Sequence, residues 1–253
     1  MNILLVDAMN LIRRIYEARP HKDDLIDEEV LSSTKHSLLR ALKKHLPTHA
    51  CAVFDSQDKT WRHELFPMYK ANRSPAPQAL MSVLPDFESA FDKLGVKSIC
   101  IKHYEADDVI ATLAKGLASK QGKVVILSTD KNFLQLLDSN TRVYDHFNDQ
   151  EHDPEWVQNK YGVSHTQLVD YWALTGDSTN NIKGVSKVGP KTAQKLIADF
   201  NSLEALLASP PDGALGQRLL TQKVDAEDAR ELVKLKTNVR LGINLRDLRY
   251  RPA

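Results

Sequence analysis

The chain has 253 residues, 42% hydrophobic and 26% charged, an ordinary mixture for one sizeable core with or without an appended subdomain. No apolar run approaches the ~20 residues that a membrane-spanning helix needs, and the two cysteines, Cys51 and Cys100, exclude a disulfide framework or a zinc site. A net charge of +1 gives no bulk sign of a polyanionic partner.

In chain order, Met1 to Asp7 already reads as a strand with no leader before it, so export is not expected and a cytoplasmic setting is. Each cysteine lies in an apolar segment and is expected to be a small core residue. Further strands are predicted at Ala50–Phe54, Val96–Ile101, Val124–Leu127 and Arg142–Tyr144. Helices are predicted at Glu28–Leu46, Pro77–Leu94, Ala106–Ser119 and Asn132–Leu137. This alternation predicts an α/β fold with a mostly parallel central sheet flanked by helices. Trp61–Pro77 is basic, contains aromatics and has three prolines, which suits a loop or irregular helical excursion. From about Asp153 the strands are expected to stop. Helices then follow at Pro154–Tyr161, Thr166–Leu174, Pro190–Phe200, Ser202–Leu207 and Ala226–Leu235. The expected division is 1–152 for the sheet part, including 61–77, and 153–253 for a helical part with a clamp at about 166–200.

Three predicted strands run into an aspartate: Asp7, Asp55 and Asp130. Ligands of open α/β sheets bind outside the carboxyl ends of the strands, where such residues converge. Glu105-Ala106-Asp107-Asp108 supplies a fourth source at the start of a helix, whose N-terminus partly offsets the charge. Any one such aspartate alone reads equally as a turn residue or helix cap. Together they repel one another unless a cation sits among them. Oxygen donors without His or Cys point to Mg²⁺, with Mn²⁺ as a substitute. Setting these six and Asp177 aside leaves 26 acids against 34 Lys and Arg, an excess of 8 that suits a polyanionic substrate.

Gly184 to Thr192 nearly matches a nucleotide-binding loop. Pro190 removes an N–H that the loop would need, and no strand is predicted before it, so no nucleotide cofactor is expected. Proline at a first helical position suggests instead a helix–hairpin–helix clamp. The N–H groups of Gly189, Lys191 and Thr192 would meet one DNA phosphate, with charge from Lys187 and Lys191.

The segments LLVDAMNLIRRIY (4–16), AVFDSQDKTWRHELFPMYKANR (52–73), EADDVIATLA (105–114), LSTDKNFLQLL (127–137), KYGV (160–163) and DYWALTGDSTNNIKGVSKVGPKTAQKL (170–196) occur in this order. The set resembles the bacterial 5′ nucleases of the flap endonuclease superfamily, most of all the stand-alone exonuclease IX branch. The resemblance implies a Mg²⁺-dependent nuclease acting on DNA with 5′ flaps or junctions, with a helical arch over the active site and a helical clamp domain. A monomer that engages no membrane is expected. By resemblance, Asp7, Asp55, Glu105, Asp107 and Asp108 surround a first metal, with Asp107 as the direct ligand, and Asp130 and Asp177 match a second. Lys70 and Arg73 match the arch's basic pair at the scissile phosphate or displaced strand. Arg13 or Arg14 either faces substrate or lies on a solvated helix face. The backbone carbonyls of Leu174, Thr175, Lys183, Val185 and Val188 match a K⁺ site, Lys183 standing where proline is common. Lys187, Val188, Gly189, Pro190, Lys191 and Thr192 match the DNA-binding turn.

Two departures stand out: Asn132 and Asn180 occupy positions that are usually aspartate. Two lost charges imply one ion held directly and a second held mainly through water. A non-catalytic junction-binding module is the chief rival, and an RNA-cleaving enzyme of the related PIN-like type is another. The first strand lacks the Asp-x-Asp of haloacid-type phosphatases and the glycines of dinucleotide-binding dehydrogenases.

Overall fold

The computed structural model describes residues 1–19 and 28–252. The elements in chain order are β1 (Asn2–Asp7), α1 (Ala8–Glu17), α2 (Glu28–His45), β2 (His49–Phe54), α3 (Trp61–Leu65), α4 (Gln78–Ser82), α5 (Leu84–Lys93), β3 (Lys97–Cys100), α6 (Ala106–Ala118), β4 (Lys123–Leu127), β5 (Thr141–Asp145), β6 (Gln150–His152), α7 (Pro154–Tyr161), α8 (Leu168–Thr175), β7 (Gly176–Asp177), β8 (Ile182–Lys183), α9 (Pro190–Phe200), α10 (Leu203–Ala208), α11 (Ala214–Thr221) and α12 (Lys223–Val233).

The sheet order is β3-β2-β1-β4-β5-β6, and β1 to β5 pair in parallel. The chain winds outward from β1 in one direction and resumes beside it with β4, so the crevice between β1 and β4 is the switch point where α/β sheets place ligands. Ile3 to Asp7 are all buried, as expected for a parallel strand covered on both faces. Leu4, Val6, Ile12, Leu38, Phe54, Phe87 and Phe91 form one contiguous core.

The chain divides into two compact units: residues 1–60, 74–151 and 236–253, and residues 61–73 and 152–235. The basic segment 61–73 thus packs with the helices rather than with the sheet, and the chain's end returns to the sheet unit. Physical ties explain both. Arg62 is 1% exposed. Its guanidinium donates to the carbonyls of Leu232 at 2.9 Å and Lys234 at 3.3 Å, and lies 4.4 Å from the Trp61 ring. These acceptors are at the end of α12, where helix carbonyls lack internal partners. In the sheet unit, Arg249 bridges His49, and the Tyr250 N–H donates to Thr48.

Several local expectations change. The helix expected over 77–94 is two, α4 and α5, broken at Val83 just before Pro85. The turn after Asp130 is a 3-10 helix, Lys131–Leu136. Strands do not stop at Asp153: β7 and β8 form an antiparallel pair within the helical unit. Cys51 is buried, but Cys100 lies exposed at the end of β3.

Candidate metal centre and nucleic-acid interface

In the sheet unit, the strand-end aspartates serve as helix caps and as a crowded acidic group at once. Asp7 ends β1 and accepts the Asn10 N–H at 3.1 Å, capping α1. Its other oxygen accepts the Ser128 hydroxyl at 2.8 Å, from the chain just beyond β4. Asp130 accepts the Asn132 N–H at 2.8 Å and so caps the following 3-10 turn. Asp55, beyond β2, accepts the Ala106 N–H at 2.8 Å, capping α6 from another segment. Each cap fixes a side chain that would otherwise be mobile.

The consequence is electrostatic. Burial, then the nearby charge of Asp55, then that of Asp130 raise the Asp7 carboxyl from its ordinary 3.8 to about 7, against the lowering effect of the Ser128 and Asn10 hydrogen bonds. Glu105 is buried at the cap position of α6, and Asp107 is half-exposed in its first turn. Asp108, on the same turn, has a structural partner of its own. It is fully buried, and one of its oxygens accepts the Lys236 N–H at 2.9 Å, pinning the returning chain end to α6.

Two observations test whether a cation suits this group. Among the described residues, no three Asp, Glu, His or Cys side chains stand close enough to be direct ligands of one ion as they are. Asn132 is 7% exposed, and its side-chain oxygen has no hydrogen-bond partner. A buried orphan acceptor and a carboxyl raised by burial and by like charge are both relieved by a cation or its water shell. Mg²⁺ retains several of its waters, so spaced oxygen donors suit it. The group fits a hydrated hard divalent ion.

Arg13 pairs with Glu17 at 3.7 Å, and Arg14 lies 5.0 Å from the Phe147 ring.

In the helical unit, Asp177 lies at the end of β7 and is buried. Asn180 donates its amide to Asp177 at 2.5 Å, while its carbonyl oxygen accepts from Arg73 at 2.6 Å. Arg73 also donates to the Thr179 carbonyl at 3.1 Å. Its guanidinium is therefore engaged within its own unit. Lys70 sits in the left-handed region at φ 56, its ammonium 5.1 Å from the Tyr69 ring.

The residues of the expected K⁺ site share one tight turn. Gly176 ends α8 with φ +75, and the Val185 N–H donates to Leu174 at 2.9 Å. A Cβ at Gly184 would stand 2.3 Å from the Leu174 oxygen and the Gly176 nitrogen, so only glycine fits. The Val185 carbonyl accepts the Val188 N–H at 3.1 Å. Lys183 pairs with Gly176 across β7 and β8. The glycine loop therefore does follow a strand, β8, two residues too short to show in the sequence pattern. Gly189 caps α9 without a side chain, Pro190 begins it, and space beside Gly189 is open. Lys187, in the left-handed region at φ 61, and Lys191 are exposed beside it. The first N–H groups of an 11-residue helix lack internal partners, which leaves this end suited to an anion.

Two family models match consecutive stretches. "5'-3' exonuclease, N-terminal resolvase-like domain" covers residues 2–162, and "5'-3' exonuclease, C-terminal SAM fold" covers 163–253. Among similar proteins is a "Flap endonuclease Xni" of Colwellia psychrerythraea, 44% identical, with 98% of this chain and 91% of that protein covered. Another is the "Flap endonuclease Xni" of Aeromonas salmonicida, 41% identical, with 100% and 97% covered. Among solved structures, T5 5'-exonuclease with bound zinc shares the fold at TM-score 0.78 and 22% identity, covering 94% of this chain and 90% of that one. Human GEN1 in complex with Holliday junction DNA shares it at TM-score 0.62 and 16% identity, covering 99% and 64%.

Proposed function

The chain belongs to the 5′–3′ exonuclease family, and we propose that it is a structure-specific 5′ nuclease that hydrolyses DNA phosphodiester bonds at 5′ flaps and junctions with Mg²⁺. One observation carries the catalytic part: burial, together with the charges of Asp55 and Asp130, raises the Asp7 carboxyl to about 7, and a divalent cation beside it would offset the crowded charge.

Hydrolysis needs an activated water and an offset for charge building on the phosphate, and bound Mg²⁺ supplies both. Asp107 would be the direct ligand, and Asp7, Asp55 and Glu105 would hold the ion through its waters. By resemblance, Asp130 and Asp177 would serve a second, weaker position, to which Asn132 would lend a neutral oxygen. Asp108 contributes charge and holds the returning chain end against α6. The caps on Asp7, Asp55 and Asp130 keep the oxygens where charge develops, so little reorganisation is needed during reaction. Lys70 and Arg73 act at the scissile phosphate, Lys70 through its ammonium.

The clamp from Lys187 to Thr192 grips one phosphate through helix N–H groups and lysine charge, without reading sequence. The carbonyls of Leu174, Thr175, Lys183, Val185 and Val188 would hold K⁺, which would steady the turn. The protein works in the cytoplasm as a monomer with no nucleotide cofactor.

The test is cleavage of a 5′-flap DNA with Mg²⁺ and with a chelator, by wild type and Asp107→Ala, with products mapped at nucleotide resolution. Cuts near the flap junction that vanish with the chelator and fall at least about 10³-fold in the variant are expected. Binding without cleavage by wild type would favour a junction-binding homologue. The Asn180 amide on Asp177 is the observation on that side.

A further inference from the structure

Segment 68–73 and turn 178–181 are joined by five hydrogen bonds within the helical unit. The Lys70 N–H donates to the Asn180 carbonyl at 2.9 Å. The Asn72 amide donates to Ser178 at 2.6 Å, and Arg73 reaches Thr179 at 3.1 Å and the Asn180 side chain at 2.6 Å. Returning the other way, the Asn181 amide donates to the Met68 carbonyl at 2.6 Å.

The geometry assigns Asn180 and Asn181 a role beyond that of a depleted metal site: we propose that they are positioning residues that latch the basic segment Met68–Arg73, with the Asn180 amide relaying the Arg73 charge to Asp177 where a cation would otherwise offset it.

The residue types suit this. An aspartate at 180 would accept from Arg73 but could donate nothing to Asp177, and would repel it. Asparagine offers both an acceptor and a donor, so it links a cation to an anion in one step. Asn181 sits in the left-handed region at φ 57, which asparagine tolerates, and this aims its amide at the segment. Lys70 is likewise left-handed, so its backbone conformation must be held by outside contacts, and the Asn180 carbonyl supplies one. The part of this inference that concerns catalysis rests on Lys70 and Arg73 acting at the scissile phosphate. The latch itself does not.

The experiment therefore has arms that separate the two. Limited trypsin digestion of the protein free of DNA and divalent ions is to be read at the bonds after Lys70 and Arg73. Asn181→Gly keeps the left-handed backbone and removes the donor, and Asn181→Asp is a second variant that also lacks the donor. Each should speed cleavage at these two bonds about tenfold relative to other sites, with melting temperature held. Unchanged cutting in both would overturn the latch. On a 5′-flap substrate the same variants should lower kcat about tenfold with little change in KM. Faster tryptic cutting with unaltered kcat would overturn the positioning role. Asn180→Asp keeps the Arg73 partner and should retain protection from trypsin. It should also bind Mn²⁺ more tightly in calorimetric titration, because the relay gives way to a second carboxylate. Unchanged Mn²⁺ binding would overturn the relay.

Discussion

Asp7 is where a structural duty and a chemical one meet on a single side chain. It caps α1, takes the Ser128 hydroxyl, and lies under the charges of Asp55 and Asp130. Without a divalent ion, the folded protein binds the Asp7 proton more tightly than the unfolded chain does, because its carboxyl is raised from 3.8 to about 7. The stability this contributes is fully present below 3.8 and is lost as pH rises through about 7. Asp7→Asn keeps a capping oxygen and removes the charge. It should raise the stability of the ion-free protein by about 1–3 kcal/mol at pH 8 and change it little at pH 4. Denaturant melts at the two pH values check this, and equal effects at both would contradict it. Asp107 should behave differently, its loss abolishing cleavage while leaving the fold intact. The carboxylates were legible in the sequence because short apolar strands ended in them. The direction each side chain takes was not. Spacing on α6 puts Asp108 beside Glu105, yet Asp108 turns to the Lys236 N–H, a partner 128 residues away that no local pattern can reveal.

At the scale of elements, two anchors carry the helical unit. Arg62 satisfies carbonyls at the end of α12 from a buried position, so Arg62→Ala leaves polar groups buried without partners. A loss of about 2–4 kcal/mol is expected in denaturant melts. Gly184 packs against the backbone of Leu174 to Gly176 with no room for a methyl. Gly184→Ala should cost about 2–4 kcal/mol and weaken DNA binding by distorting the clamp, as judged by melting and by fluorescence anisotropy with a duplex. Strands β1 to β5 and most helices could be read from hydrophobic periodicity, since burial on one or both faces sets that period, whereas the three-residue β6 could not. What escaped was set by other forces. The β7 and β8 strands are two residues each, too short for any alternation. The break between α4 and α5 falls at Val83, just before Pro85, which the apolar pattern runs straight through. α11 at Ala214–Thr221, unmarked in the sequence reading, follows a Pro-Pro-Asp-Gly stretch that reads as a turn.

For the whole molecule, a net charge of +1 conceals an uneven distribution, with carboxylates gathered at the strand ends and lysines beside the clamp. DNA affinity should therefore fall at least about tenfold between roughly 50 and 200 mM salt and show little sequence preference, while Lys70→Ala should lower the cleavage rate far more than affinity. Binding isotherms across salt and single-turnover kinetics check these. The order of elements made the fold class readable. The route of the chain was harder to see, since the two compact units are discontinuous and exchange chain at 60–61, 73–74, 151–152 and 235–236. Such exchanges depend on buried ties like those of Arg62 and Asp108, which link residues far apart in sequence.

Anomalous scattering from Mn²⁺ in crystals of the wild-type protein reads the central assignment most directly. A strong peak within bonding distance of an Asp107 carboxylate oxygen, with Asp7 and Asp55 reaching it through water, is the predicted result. Saturating Mn²⁺ that leaves no peak beside Asp107 would contradict the account.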